Sequence, residues 1–409
     1  MSKHILRAAA LAAALLPAWA IGATLSLDKA IELAVQRSEA ARAARAGVDS
    51  AGETARASGQ LPDPMLRAGV ENLPVTGADR FSTTRDFQTM KRIGIAQEWV
   101  SSEKRSAREA VARTTVGRES TLVQVAAADT RLQTALAYLD AYYAGEALKL
   151  ALLNEKNIRE ELEAGKGRLS TTSGNSAEVL ALMGSLGMAE DEAGDLRQQQ
   201  DATMIELRRW VGAAADELAA PGLAGVPSEA RYVATHPVIV ARQREIEVAR
   251  SEVEVARLNR KPNWTWEVSY GQRTGYSDMV SLGVSIPLPV APGMRQDRET
   301  AAKLALVEKA EAELAEAQRA VQGEYATLMS DARRLQDRIE RFRAGAVVPA
   351  QQRIATTMAA YRSNQASLVV LFEARRAEVE LQRKLLTLQR DLARAQAQLT
   401  WKPIAGDAP

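Results

Sequence analysis

The chain has 409 residues, 53 Lys+Arg against 51 Asp+Glu for a formal net charge of +2, and no cysteine. Near neutrality gives no electrostatic reason to expect a nucleic-acid partner. Without Cys, disulfide staples and a lipid on an N-terminal Cys are both excluded, so any membrane attachment must come from the fold itself.

Lys3 and Arg7, the apolar run Ala8 to Leu16, Pro17 and the small-residue sites Ala18-Trp19-Ala20 and Ile21-Gly22-Ala23 predict a signal peptide over 1–23. Cleavage is expected after Ala23, with Ala20 as the second site. Losing Lys3 and Arg7 makes the mature chain formally neutral. No later apolar run reaches the roughly 18 residues of a membrane-spanning helix. A soluble exported protein and an outer-membrane β-barrel remain.

Next comes a polar, Ala-rich helical pattern that stops at Leu61-Pro62-Asp63-Pro64, where prolines end helices. Two alternating segments follow, strands over about 65–73 and 86–99. Leu66, Ala68 and Val70, then Ile93, Ile95 and Trp99, fall on one face. Arg67, Gly69 and Glu71, then Arg92, Gly94, Ala96 and Glu98, fall on the other.

No proline occurs between Pro74 and Pro221, and apolar residues step by threes and fours, as in Leu132, Leu136, Leu139, Tyr143, Ala147 and Leu150. That spacing is a narrow coiled-coil seam. A helix from Ser101 to near Ser170 would be roughly 100 Å long.

The plan then repeats. Arg260-Lys261-Pro262-Asn263 leads into strands over about 263–271 and 279–288, with Trp264, Trp266, Val268 and Tyr270 facing the same way as Val280, Leu282, Val284, Ile286 and Leu288. Seams return at Ala310 to Phe342 and at Leu381 to Leu399. The expected organisation is a first helix-hairpin-helix repeat over 24–226, a second over 227–402, and a tail over 403–409.

Two structures explain the alternating strands. A sheet lying on a soluble core alternates, and so does a barrel with its apolar face in lipid. The helices spend their narrow stripes on one another and leave nothing to cover the apolar face. In lipid, four strands would leave open edges, so several copies would have to share one barrel. Taken alone, the seams favour a soluble exported coiled-coil scaffold or adaptor, and the hairpins tip the reading the other way.

Catalysis has no foothold in the sequence. His236, beside Pro237, is the single mature histidine and reads as a helix start; Gly165-Lys166-Gly167 lacks the rest of a phosphate loop. No cofactor and no metal site are expected. The ten methionines are scattered and read as gap-fillers in helix packing.

The order of elements over nearly the whole mature chain, from Leu27-Asp28-Lys29-Ala30-Ile31 to Trp401, resembles the TolC family of outer-membrane efflux factors. So does Tyr361-Arg362-Ser363-Asn364-Gln365-Ala366-Ser367-Leu368-Val369-Val370-Leu371-Phe372-Glu373-Ala374, with a weaker copy at Gly174 to Ala181.

The resemblance implies a mainly α fold with a small β part. Long antiparallel coiled-coil helices would form a periplasmic tunnel, and two hairpins would supply one third of a trimeric twelve-strand barrel. It implies a homotrimer working with a periplasmic adaptor (membrane fusion protein) and an inner-membrane resistance-nodulation-division pump. Glu373, Glu178 and Tyr361 would form the periplasmic gate, with Val370 where some members carry another acid and Asn364 where Gly is usual. Trp264, Trp266, Val268, Tyr270, Val280, Leu282, Val284, Ile286, Ile93, Ile95 and Trp99 would face outer-membrane lipid. Leu61 to Pro64, Glu71-Asn72-Leu73-Pro74 and Met90 to Gly94 look most like the heavy-metal efflux branch.

Overall fold

The computed structural model describes residues 24–170, 176–212, 217–222, 225–363 and 365–404. The expected signal peptide, the start of the weaker tip motif, Asn364 and the last five residues lie outside them. Helices α1 (Leu27–Arg37) and α2 (Glu39–Ser58) lead into strands β1 (Met65–Glu71) and β2 (Met90–Trp99). Helix α3 (Ser102–Leu169) runs unbroken for 68 residues and is followed by α4 (Ser176–Val211). A short α5 (Glu229–Ala234) and α6 (Pro237–Leu258) precede β3 (Trp264–Gln272) and β4 (Met279–Ser285). The second rod is α7 (Gln296–Phe342), a π-turn over Arg343–Val347 and α8 (Val348–Arg362), and α9 (Leu368–Trp401) returns along it.

Each rod has a visible local cause. Ser101 caps α3 by accepting from the Lys104 N–H, and His236 caps α6 through Nδ1, accepting from Val238 with Pro237 in the first turn. The π-turn lies just before Pro349, which lacks an N–H and crowds the preceding turn; widening the helix accommodates it and keeps the rod continuous. At about 1.5 Å per residue α3 is about 100 Å long.

α3 is the spine. It packs against α2, α4, α6 and α9, and its middle carries the largest core cluster, where Ala135, Tyr138, Leu139 and Ala141 meet Leu27, Ile31, Leu207 and Ala397. Small residues at these seam positions let the backbones approach closely. The buried Tyr138 hydroxyl lies 2.6 Å from the Leu25 carbonyl and 2.7 Å from that of Ala219, tying the chain's beginning to the segment after α4. Burial pushes its pKa up to about 12, so it stays a neutral donor.

The two hairpins join into one antiparallel sheet in the order β1-β2-β3-β4. The repeats meet at β2 and β3, where Ile93 pairs with Tyr270, Ile95 with Val268 and Trp99 with Trp264. Three strands are shorter than the sequence pattern suggests, each for a local reason. β1 ends before Asn72, which takes φ 55. β2 starts at Met90 because Ser82 and Asp86 side chains accept backbone N–H groups and form turns. β4 stops before Pro287 and Pro289. β3 is displaced by a single residue.

Gly94 allows β2 to lie close against β3. A Cβ there would lie 2.6 Å from Ser269 Cβ and 2.9 Å from the Val268 carbonyl, whereas one at Gly69 would meet nothing within 4 Å. Gly94→Val is expected to destabilise the sheet by about 1–3 kcal/mol through overpacking, with Gly69→Val close to neutral. Thermal melts followed by circular dichroism of the two variants check this; equal midpoints would remove the claim.

Candidate functional site

The sheet is built inside out relative to a soluble protein. Cross-strand rows place Leu66, Ile95, Val268 and Leu282 side by side, then Ala68, Ile93, Tyr270 and Val280, then Trp266 and Val284, with Trp99 beside Trp264. Opposed residues in antiparallel strands share a face, so all the expected apolar positions line up on one surface. That surface is bare: Leu282 is 79% exposed, Val280 69%, Ile93 51% and Ile95 49%. Trp266 is half-buried, and Ile286, one residue past β4, is exposed. The Trp99 and Trp264 rings lie 5.9 Å apart, tilted by 38°, at one end of the rows, with Tyr270 near the other.

The opposite face is polar, and its charges pair with one another. Ala96 is 0% exposed and Ser269 3%. Arg92 donates to Ser269 Oγ at 2.7 Å and to Glu267 at 3.0 Å, and also pairs with Glu71; Arg67 pairs with Glu267 at 2.7 Å. Two Arg and two Glu thus alternate across three strands. The period-2 pattern showed these residues on one face, but not that they pair with one another. Among the described residues β1 and β4 are both unpartnered edges.

The helices have a second charged locus where α3 meets α4 and α9. Gly165 lets α4 come close, with Leu182 Cδ1 3.3 Å from where a Cβ would sit, and Leu162, Val179 and Leu182 form a small cluster. Glu178 accepts from Arg168 at 2.6 Å. Glu161, on α3, is 1% exposed, lies 3.6 Å from Arg376 of α9, and its Oε2 has no hydrogen-bond partner. Its pKa is raised, first by burial and also by the like charges of Glu178 and Glu373; Arg376 and Arg168 oppose the shift. The two acids expected at the tip therefore converge on a third that the family motif does not contain. Its signal was a Glu in seam spacing with Ile158, Leu162 and Gly165. Glu373 is exposed, and Tyr361 is 39% exposed at the end of α8.

Among the described residues no group of three or more His, Cys, Asp or Glu could hold a metal ion, and no helix is long and apolar enough to cross a membrane. His236 is buried beside Glu324, Tyr232 and Lys402; Tyr232 and Lys402 both donate to Glu324, which leaves the ring as a cap within a packed polar cluster.

The linkage for Glu161 has a definite sign. With its folded pKa above the unfolded value of 4.5, the folded chain holds the proton more tightly. Stability is therefore greatest below 4.5 and declines as pH rises through the raised pKa. Glu161→Gln is expected to flatten that decline, giving a melting temperature that falls less than wild type between pH 4.5 and neutrality. Parallel pH profiles would overturn the assignment.

No family model matches the chain. The pyoverdine export outer membrane protein OpmQ of Pseudomonas putida is 27% identical over 281 residues, 62% of this chain and 58% of that protein. The chain spans only about a third to three fifths of the length of the curated relatives it matches. Among solved structures, the CmeC outer membrane channel of Campylobacter jejuni superposes with a TM-score of 0.75 at 11% identity, over 93% of this chain and 87% of that one. CusC, whose structures concern transmembrane channel formation, gives 0.74 at 14% identity over 93% and 92%. At such identities the likeness is one of fold, and it extends over both repeats, the sheet and the rods. The matched proteins are channels and exporters rather than enzymes. The chain therefore shares the fold of these solved outer-membrane channels over more than nine tenths of its length.

Proposed function

We propose that this chain is the outer-membrane channel component of a tripartite efflux system, passively conducting substrate from an inner-membrane pump and its periplasmic adaptor to the exterior. One observation carries the reading: a sheet whose apolar face is exposed, whose opposite face pairs its charges, and whose two edges are open among the described residues. Lipid is the solvent that suits that apolar face, and hydrocarbon does not tolerate unpaired strand edges. In a four-strand meander the first and last strands run in opposite directions. β4 of one copy therefore fits antiparallel to β1 of the next, and the sheet closes without breaking the alternation.

Three copies would give twelve strands, enough for an open lumen lined by the Arg67, Glu71, Arg92 and Glu267 face. The rods would hang into the periplasm as a tunnel, with the signal peptide directing export. Glu178, Glu373 and Tyr361 would stand at its closable end. The proposed cargo is heavy-metal cations, on the strength of the three branch-like motifs around β1 and β2. A conduit passes cargo without a resident metal site.

Detergent extraction of outer membranes followed by mass determination is expected to return a detergent-dependent trimer. A water-soluble monomer would instead mean a coiled-coil scaffold and end the channel reading. In planar bilayers, Glu178→Ala combined with Glu373→Ala is expected to raise single-channel conductance severalfold; unchanged conductance would discard the gate. Deleting the gene is expected to sensitise cells to divalent or monovalent heavy metals. Unchanged metal tolerance alongside altered tolerance to organic compounds would redirect the cargo assignment.

A further inference from the structure

A cavity of about 680 Å³ opens beside the middle of α3, lined by Arg131 from α3, Arg231 and Thr235 from α5 and the turn after it, Ser228, and Thr400 and Trp401 at the end of α9. It contributes to neither the sheet nor the helical tip. Its lining contains two arginines and no carboxylate. Among the described residues neither guanidinium makes an ion pair, whereas all five arginines of α9 do. Burial alone lowers the Arg131 pKa, with no neighbouring charge acting on it. The Thr400 hydroxyl is buried and has no hydrogen-bond partner.

A desolvated guanidinium without a counter-ion is costly, and so is a buried hydroxyl without a partner. The guanidinium cost disappears if an acid group enters the cavity, because guanidinium presents paired donors to carboxylate or phosphate oxygens. The remaining wall is apolar, made by Val226, Pro227, Trp401, Pro403 and Ile404. The volume lies within the range of small-molecule sites. We propose that this cavity binds an organic oxyanion, its phosphate or carboxylate held by Arg131 and Arg231 and its apolar body against Trp401 and Pro227.

The test uses the full-length protein purified in detergent and isothermal titration with three probes: phenyl phosphate, phenylacetate and inorganic phosphate. Saturable binding of phenyl phosphate or phenylacetate is expected, and the tighter of the two identifies the acid group. The aromatic probe should bind more tightly than inorganic phosphate if the apolar wall takes part. Arg131→Gln and Arg231→Gln should each weaken binding roughly ten- to a hundredfold, the loss of a charged hydrogen bond. Arg131→Gln should also leave the melting temperature of the unliganded protein unchanged or raised, since an uncompensated charge is removed. No saturable binding of any probe would overturn the proposal, including the case where a neighbouring copy fills the cavity. Equal affinity in the variants, or a lower unliganded melting temperature in Arg131→Gln, would overturn it as well.

Discussion

Backbone hydrogen bonding at the two edges of the sheet is the constraint on which the rest of the architecture depends. Among the described residues β1 and β4 each present a row of N–H and C=O groups with no strand partner, next to an apolar face that is exposed. In water such an edge invites aggregation, and in hydrocarbon each unpaired group costs several kcal/mol. Both difficulties have one remedy, closure with further copies. The prolines at 62, 64, 287 and 289 lie just beyond these edges and confine pairing to the segment that carries the apolar rows.

Burial is divided accordingly. The rods are held by narrow seams of Ala and Leu around α3, and the sheet keeps its polar groups on the face opposite the apolar rows, where Arg92 and Glu267 neutralise one another. A few buried polar positions depart from that economy: the Tyr138 hydroxyl is satisfied by two carbonyls, whereas His236 caps a helix through Nδ1 and leaves Nε2 unpartnered, as Glu161 and Thr400 each leave an oxygen. Unsatisfied groups in an otherwise consistent structure are where function is to be sought.

Much of this was legible in the sequence because it rests on local periodicity. Alternation in Trp264 to Tyr270 and in Val280 to Ile286 fixed the faces of the second hairpin. The proline-free stretch from Pro74 to Pro221 announced the long rod, and Pro237 after His236 announced a helix start. Contacts between distant segments were not legible in this way. Nothing local says that β2 should pair with β3, that Arg92 should reach Glu267, or that Glu161 should meet Arg376. Strand ends also escaped, because Asn72 with positive φ and the Asp86 turn act through backbone geometry that hydrophobic patterning does not report.

The pairing of β2 with β3 also has a consequence for the order of assembly. Each hairpin closes over a short loop, but the central seam joins Lys91 to Gln272 across the whole of α3, α4, α5 and α6. Such non-local closure is entropically expensive and kinetically late. A chain emerging from its N-terminus would present the first hairpin, with Leu66, Ile93 and Ile95 bare, long before the second hairpin exists to meet it. The interval during which that surface has no partner is set by the length of the intervening rods. Holding it apart from other chains is therefore a task for whatever escorts the polypeptide, and the length of α3 sets how long the escort must last.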